Sequence, residues 1–201
     1  ADISPPIERI QNILVCGLGG SAIGGDFLRA YLSGDLNVPI QVSRNYSIPN
    51  FASPSTLVFI CSYSGNTEET VASFKAARKA GCFIICLTSG GQILELSRQS
   101  NCMTLRIPGG LPPRTALGYL MVPLLVACLR LGLAHDRIGE FQQSVRWVRS
   151  RIEQLGRQCP LQENVAKQLA IQLQGKIPVV YGSQDRLEIV ATRWCGQISE
   201  N

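Results

Sequence analysis

Short, unbroken apolar runs alternate with amphipathic stretches along this chain. Ile13-Leu14-Val15-Cys16, Leu57 to Ile60 and Cys82 to Leu87 are continuous runs, with weaker ones at Pro39 to Val42 and Cys102 to Ile107. Runs without alternation are typical of parallel strands covered on both faces. Between them lie helical patterns: one after Gly17 to about Leu32, Val71 to Ala80, a short one from Gln92 to Arg98, and Ala116 to Leu129, the most apolar stretch. Strand and helix in strict alternation predict an α/β domain around a parallel sheet. Ala1 to Gln11, with Pro5 and Pro6, is a short lead-in.

The second half reads differently. From Asp136 to Leu155 the apolar residues Ile138, Phe141, Val145, Val148, Ile152 and Leu155 form a narrow helical stripe that needs a partner surface. Arg146, Arg149 and Arg151 decorate it as a solvated face. Another helix is expected from Val165 to about Leu173. Ile177-Pro178-Val179-Val180-Tyr181-Gly182 then repeats the strand-then-glycine theme of Ile13 to Gly17, and a helix follows to Glu200. These features divide the chain into a first domain (1–157), a linker and helix (158–175) and the start of a second, truncated domain of the same kind (176–201). A lone strand and helix make no sheet, so the chain reads as a fragment.

The chemistry gathers where strands turn into helices. After the Leu57 run comes Cys61-Ser62-Tyr63-Ser64-Gly65-Asn66-Thr67-Glu68-Glu69-Thr70. The first N–H groups of a helix lack internal partners, and the helix dipole is positive there, so the turn suits an anion. Ser62, Ser64 and Thr67 supply more hydroxyls than a cap needs, which favours a phosphate cradle. Gly65 is expected to let backbone approach a ligand, and Asn66 with Glu69 resembles a capping box. Gly20 and Ser21, in Gly17-Leu18-Gly19-Gly20-Ser21-Ala22, offer a second backbone nest. Thr88 and Ser89 end the Cys82 strand at the same sheet edge, as pocket lining or a plain turn. If the Ile13 and Leu57 strands are neighbours at the reversal of strand order, both loops face one ligand.

Gly17, Gly19 and Ala22 also fit a dinucleotide fingerprint. The acidic residue it requires after the second strand is replaced by Ser43 and Arg44. NAD is disfavoured, and only Arg44 keeps a 2′-phosphate cofactor open. Pro112 and Pro113 place Arg114 just before the apolar helix, where a cation opposes the dipole unless an anion shares the site.

Composition narrows the field. Of 201 residues, 45% are hydrophobic and 16% charged, as in an ordinary globular core. The net charge of +5 is dispersed and suits small anions rather than nucleic acid, since no basic stretch carries stacking aromatics. The eight cysteines include no CxxC, and His135, a surface residue by default, is the only histidine. Reduced, buried thiols fit this better than zinc or disulfides and imply a cytoplasmic setting. No metal and no cofactor is expected. No signal peptide is visible. Ala116 to Leu129 is too short to span a bilayer and contains Pro123, so no membrane partner is expected.

Three stretches together resemble the bifunctional phosphoglucose/phosphomannose isomerase family of sugar isomerase (SIS) domain proteins. They are Gly17 to Asp26, Ser62 to Thr70, and Pro113-Arg114-Thr115-Ala116-Leu117-Gly118-Tyr119. A weaker fourth, Arg193 to Asn201, is similar to a segment ending Asn-Glu-Asn, with Ser199 in place of the first Asn. The resemblance implies tandem SIS domains, each a flavodoxin-like five-stranded parallel sheet between helices, and a homodimer. It implies a sugar phosphate held by Gly20, Ser21, Ser62, Ser64 and Thr67, with Arg114 facing the oxygens of the reacting carbons. Glu200 would be the base moving a proton between C1 and C2. The family's histidine and lysine from further along the chain have no counterpart here, and His135 does not stand at that place.

The expected activity is interconversion of glucose 6-phosphate or mannose 6-phosphate with fructose 6-phosphate through an enediol. A carboxylate within reach of the acidic C–H and a fixed cation for the developing oxyanion suit that chemistry. Competing readings are a non-catalytic sugar-phosphate-binding SIS module and an oxidoreductase binding NADP at the Gly17 loop.

Overall fold

The computed structural model describes residues 10–135 and 137–199. They divide into two compact units, one of residues 10–135 with 182–199 and one of residues 137–181. Glu200, the expected base, lies outside the described residues.

The first unit is an α/β sandwich. Its strands are β1 (Asn12–Cys16), β2 (Ile40–Ser43), β3 (Thr56–Ser62), β4 (Phe83–Thr88) and β5 (Met103–Arg106). All pair in parallel, in the order β2-β1-β3-β4-β5. The expected five strands are therefore present. The apolar runs behave as two-sided strands: every residue of β3 is buried, as are Ile13 to Cys16 of β1.

Side-chain alternation sends the two halves of each run to opposite helical layers. Leu14, Cys16, Val58, Ile60, Ile84 and Cys86 form one core with Val71, Phe74 and Ala77 of α2 (Glu68–Lys79) and Ile93 of α3 (Gly91–Gln99). On the other face, α1 (Gly20–Leu32) lies so close that a Cβ at Gly25 would meet Val15 Cγ1 at 2.7 Å. α1 packs along α4 (Leu117–Arg130). A Cβ at Gly24 would meet the Leu120 carbonyl oxygen at 2.6 Å, so only glycine permits that approach.

The cysteines sit in these layers as small apolar residues. Cys16, Cys61, Cys82, Cys86 and Cys128 are buried, and all eight are free thiols. Burial pushes the thiols of Cys16, Cys86 and Cys128 up to about 12.

After α4 the chain forms the second unit, with α5 (Ile138–Leu155) and α6 (Val165–Leu173). Asn164 caps α6 by accepting from the Lys167 N–H at 3.1 Å and donates to the Gly156 carbonyl at 3.0 Å. The stripe residues Ile138, Val145, Val148, Ile152 and Leu155 are exposed, as is Trp147, over whose ring the Arg151 guanidinium lies.

The strand expected at Ile177 to Gly182 does not form. An extended segment becomes a strand only where a neighbour takes its N–H and C=O groups. Ile177 and Tyr181 instead stand more than nine-tenths exposed. The helix expected beyond it is present as α7 (Glu188–Ser199), and from Gly182 onward the chain belongs to the first unit. Ile189 of α7 packs with Ile23 and Ala30 of α1, and Glu188 pairs with Arg29 at 3.5 Å.

Candidate functional site

Strand order reverses between β1 and β3: the chain moves from β1 out to β2, then returns past β1 to continue through β4 and β5. At such a switch point the loops leaving the two carboxyl ends part to opposite faces and leave a crevice. Ser21 opens α1 from one side, and the Ser62 to Thr67 turn opens α2 from the other.

The two turns touch. Ser21 Oγ accepts from the Tyr63 N–H at 3.1 Å, and Ser21 is 7% exposed. A serine acceptor used this way keeps its own O–H to donate to a ligand. Gly17 is equally close: a Cβ there would stand 3.0 Å from the Cys61 carbonyl oxygen.

The hydroxyls of the turn divide by burial. Ser62 is buried; its Oγ accepts from the Gly65 N–H at 3.1 Å and lies 3.1 Å from Thr67 Oγ1. Ser64 is exposed and its Oγ accepts from the Asn66 N–H at 3.3 Å. Thr67 is the N-cap residue of α2 and is half-buried. Among the described residues, neither α1, which begins at Gly20, nor α2 receives a side-chain cap. Both helix starts thus present first-turn N–H groups toward the switch point, where the dipoles favour an anion.

The expected capping box is replaced by a longer link. Asn66 Oδ1 accepts from the Gln92 N–H at 2.9 Å, so Asn66 serves the start of α3 and not its own helix. Gly65 likewise faces protein. Its φ is 76°, and a Cβ would lie 1.8 Å from the Gly90 carbonyl oxygen, so its bareness admits the β4–α3 loop. Thr88 and Ser89 are staples of that contact. Thr88 Oγ1 donates to the Gly90 carbonyl at 2.8 Å, and the Ser89 N–H and hydroxyl donate to the Tyr63 carbonyl at 3.1 and 2.6 Å.

Arg114 lies half-buried on a 3-10 turn, Pro113–Thr115, that packs against α1 and α4. Its carbonyl accepts from the Arg193 guanidinium and from Gln197 Nε2, the latter at 3.4 Å. Leu117, Arg193, Trp194, Gln197 and Ile198 line a cleft of about 460 Å³ beside Arg114. Arg44 donates to Asp26 in an ion pair, which occupies the cation that a 2′-phosphate cofactor would need.

Tyr63, Arg193 and Gln197 lie within the motifs, and their spacing there assigns them no role. The available signal was Tyr63 itself, an aromatic set between two serines in a polar turn. Among the described residues no cluster of three or more His, Cys, Asp or Glu could hold a metal ion, and no helix is long and apolar enough to cross a membrane.

A doubly wound five-stranded parallel sheet with hydroxyl-bearing turns joined at its switch point is the flavodoxin-like architecture expected of an SIS-type domain. A structure of a hypothetical protein from Thermus thermophilus superposes with a TM-score of 0.62, at 19% identity over 83% of this chain and 42% of its own, which shows the fold. The family described as "Bacterial phospho-glucose isomerase C-terminal SIS domain" matches residues 162–201.

By sequence the chain is similar to members of the bifunctional phosphoglucose/phosphomannose isomerase family. The member from Caldicellulosiruptor bescii is 39% identical over 96% of this chain, and that from Aquifex aeolicus is 34% identical over 100%. The chain spans 57% and 58% of the length of those two relatives.

Proposed function

We propose that the complete protein is an aldose–ketose isomerase that interconverts glucose 6-phosphate or mannose 6-phosphate with fructose 6-phosphate. The observation that carries the reading is the Ser21–Tyr63 hydrogen bond, which joins two anion-suited turns at the switch point of the sheet. In this reading the phosphate docks on the first-turn N–H groups from Gly20 onward and after Thr67. Ser21, Ser64 and Thr67 donate to it, and Ser62 holds the turn in shape from beneath. Phosphate gripped remotely supplies binding energy for placing C1 and C2.

Arg114 then stabilises negative charge developing on the carbonyl oxygen. Glu200 takes the proton from C2 of the aldose, giving a cis-enediolate with its charge on O1; the proton of the C2 hydroxyl passes to O1, and Glu200 returns its proton to C1 to give the ketose. The reverse path begins at C1 of the ketose. Residues beyond this chain supply the acid/base for ring opening. Residues 176–201 open a second SIS domain, and the working form is a cytoplasmic homodimer.

The test uses the protein expressed from its complete reading frame. Both aldose phosphates should be isomerised. Glu200→Gln should lower turnover by about a thousandfold or more, within the range set by the loss of a positioned base, and leave fructose 6-phosphate binding within a few-fold. Undiminished turnover in Glu200→Gln would remove the assignment. A binding module without catalysis predicts binding but no turnover in the unmutated protein.

A further inference from the structure

All three polar groups of Tyr63 are in use, and each reaches a different loop. Its N–H donates to Ser21 Oγ on the β1–α1 turn at 3.1 Å. Its carbonyl accepts from Ser89 on the β4–α3 loop. Its phenol oxygen accepts from the Leu111 N–H at 2.9 Å, on the loop that leads to Arg114. The side chain is buried, so this phenol is held by packing as well as by its hydrogen bond.

We propose that Tyr63 is a positioning residue that carries the geometry of the phosphate cradle to Arg114. The proposal rests on the isomerase reading for the role of Arg114. From Leu111 the chain runs through Pro112 and Pro113 to Arg114. Each proline fixes its own φ near −65°, so few torsions separate the Leu111 N–H from the Arg114 Cα. Thr115 closes the turn, its N–H and hydroxyl both donating to the Pro112 carbonyl at 2.9 Å. Arg193 and Gln197 grip the Arg114 carbonyl from α7. Tyr63 therefore anchors the upstream end of a stiff segment whose downstream end is already held.

Phenylalanine at this position fills the same space and keeps both backbone links, losing only the oxygen. Leu111 is exposed, so water can take over its N–H. The loss falls on position and not on folding. In the protein from the complete reading frame, Tyr63→Phe should lower kcat about tenfold, the order of one lost hydrogen bond. KM and the affinity for inorganic phosphate should stay within about twofold, because Ser21 and Ser89 keep their partners. In an Arg114→Ala background the same change should alter kcat by less than about twofold, since its target is gone.

A second readout needs no turnover. A phosphorylated aldonohydroxamate, which mimics the enediolate, should bind Tyr63→Phe about tenfold more weakly, with phosphate affinity unchanged. Wild-type mimic affinity, a parallel loss of phosphate affinity, or a full loss persisting without Arg114 would each overturn the proposal. Absence of isomerisation by the unmutated protein would instead remove the isomerase reading, and the mimic-against-phosphate comparison would still decide Tyr63.

Discussion

Replacing Gly65 by alanine separates a glycine that serves a ligand from one that serves the protein. At φ 76° an L-residue is strained, at a cost of about 1–2 kcal/mol. The added Cβ would stand 1.8 Å from the Gly90 carbonyl oxygen, a backbone atom, so the β4–α3 loop must move by more than an ångström. That loop is tied to the Ser62 to Thr67 turn by bonds from the Ile93 N–H to the Gly65 carbonyl (2.9 Å), the Gln92 N–H to Asn66 (2.9 Å) and Ser89 to the Tyr63 carbonyl (2.6 and 3.1 Å).

Breaking two or three of these adds about 2–3 kcal/mol at roughly 1 kcal/mol each. The sum, about 3–5 kcal/mol, is a large part of the stability of an ordinary domain and lowers Tm by about 6–20 °C. Differential scanning fluorimetry reads this directly, with Gly34→Ala as control. Among the described residues nothing lies within 4 Å of a Cβ at Gly34, and that variant should melt at or slightly above the parent. If Gly65 only made room for phosphate, the variant would melt normally and lose phosphate affinity. A normal Tm in Gly65→Ala would refute the loop-to-loop contact on which this account of the turn depends.

The thiols give two further tests. In the folded protein a thiol reagent at pH 8, followed by peptide mapping, should leave Cys16, Cys61, Cys82, Cys86 and Cys128 unlabelled until the chain unfolds, because all five are buried and raised in pKa; early labelling of any would contradict their placement. The same thiols make stability depend on pH: Cys16, Cys86 and Cys128 titrate near 12 when folded against an ordinary value of 9.0, so the folded chain holds more protons between those limits. Their contribution is fully present below pH 9 and is lost as pH rises toward 12, so the urea midpoint should fall across that window, and a midpoint that rises there would reverse the sign.

The sheet was legible because each strand announces itself locally. Four or more unbroken apolar residues between polar turns leave little alternative to a two-sided strand, and the three runs that meet this, Ile13 to Cys16, Leu57 to Ile60 and Cys82 to Leu87, are the three central strands, while the weaker runs broken by Gln41 and by Thr104 and Arg106 became the two edge strands. Strand order needed one step more. Two glycine- and serine-rich turns make sense together only if the Ile13 and Leu57 strands are adjacent, and β1 and β3 are paired. Ile177 to Tyr181 carries the same local signal and forms no strand. The pattern reports a segment's willingness to pair, while pairing depends on an open sheet edge beside it. The stripe of α5 teaches the same lesson, since its spacing was read correctly and says nothing of what covers it.

The roles of the individual polar residues were much less legible, for a physical reason. A run such as Ser-Tyr-Ser-Gly-Asn-Thr offers more donors and acceptors than any one task consumes, and local spacing suggests only local partners. Asn66 sits at the correct distance from Glu69 for a capping box, yet its acceptor goes to Gln92, 26 residues away. Thr88 and Ser89, equally able to line a pocket, are spent on Gly90 and Tyr63. Such long-range bonds are chosen by the close packing of neighbouring turns, which Gly65 and Gly91 permit. Burial then sorts the remaining hydroxyls. A buried, doubly engaged oxygen such as Ser62 Oγ has little capacity left for a ligand, whereas Ser64 is open to solvent and Ser21 retains its proton. On the proposed function, a turn that holds a dianion without collapsing needs both kinds, because hydroxyls that bind can stay fixed only where others are committed to the scaffold.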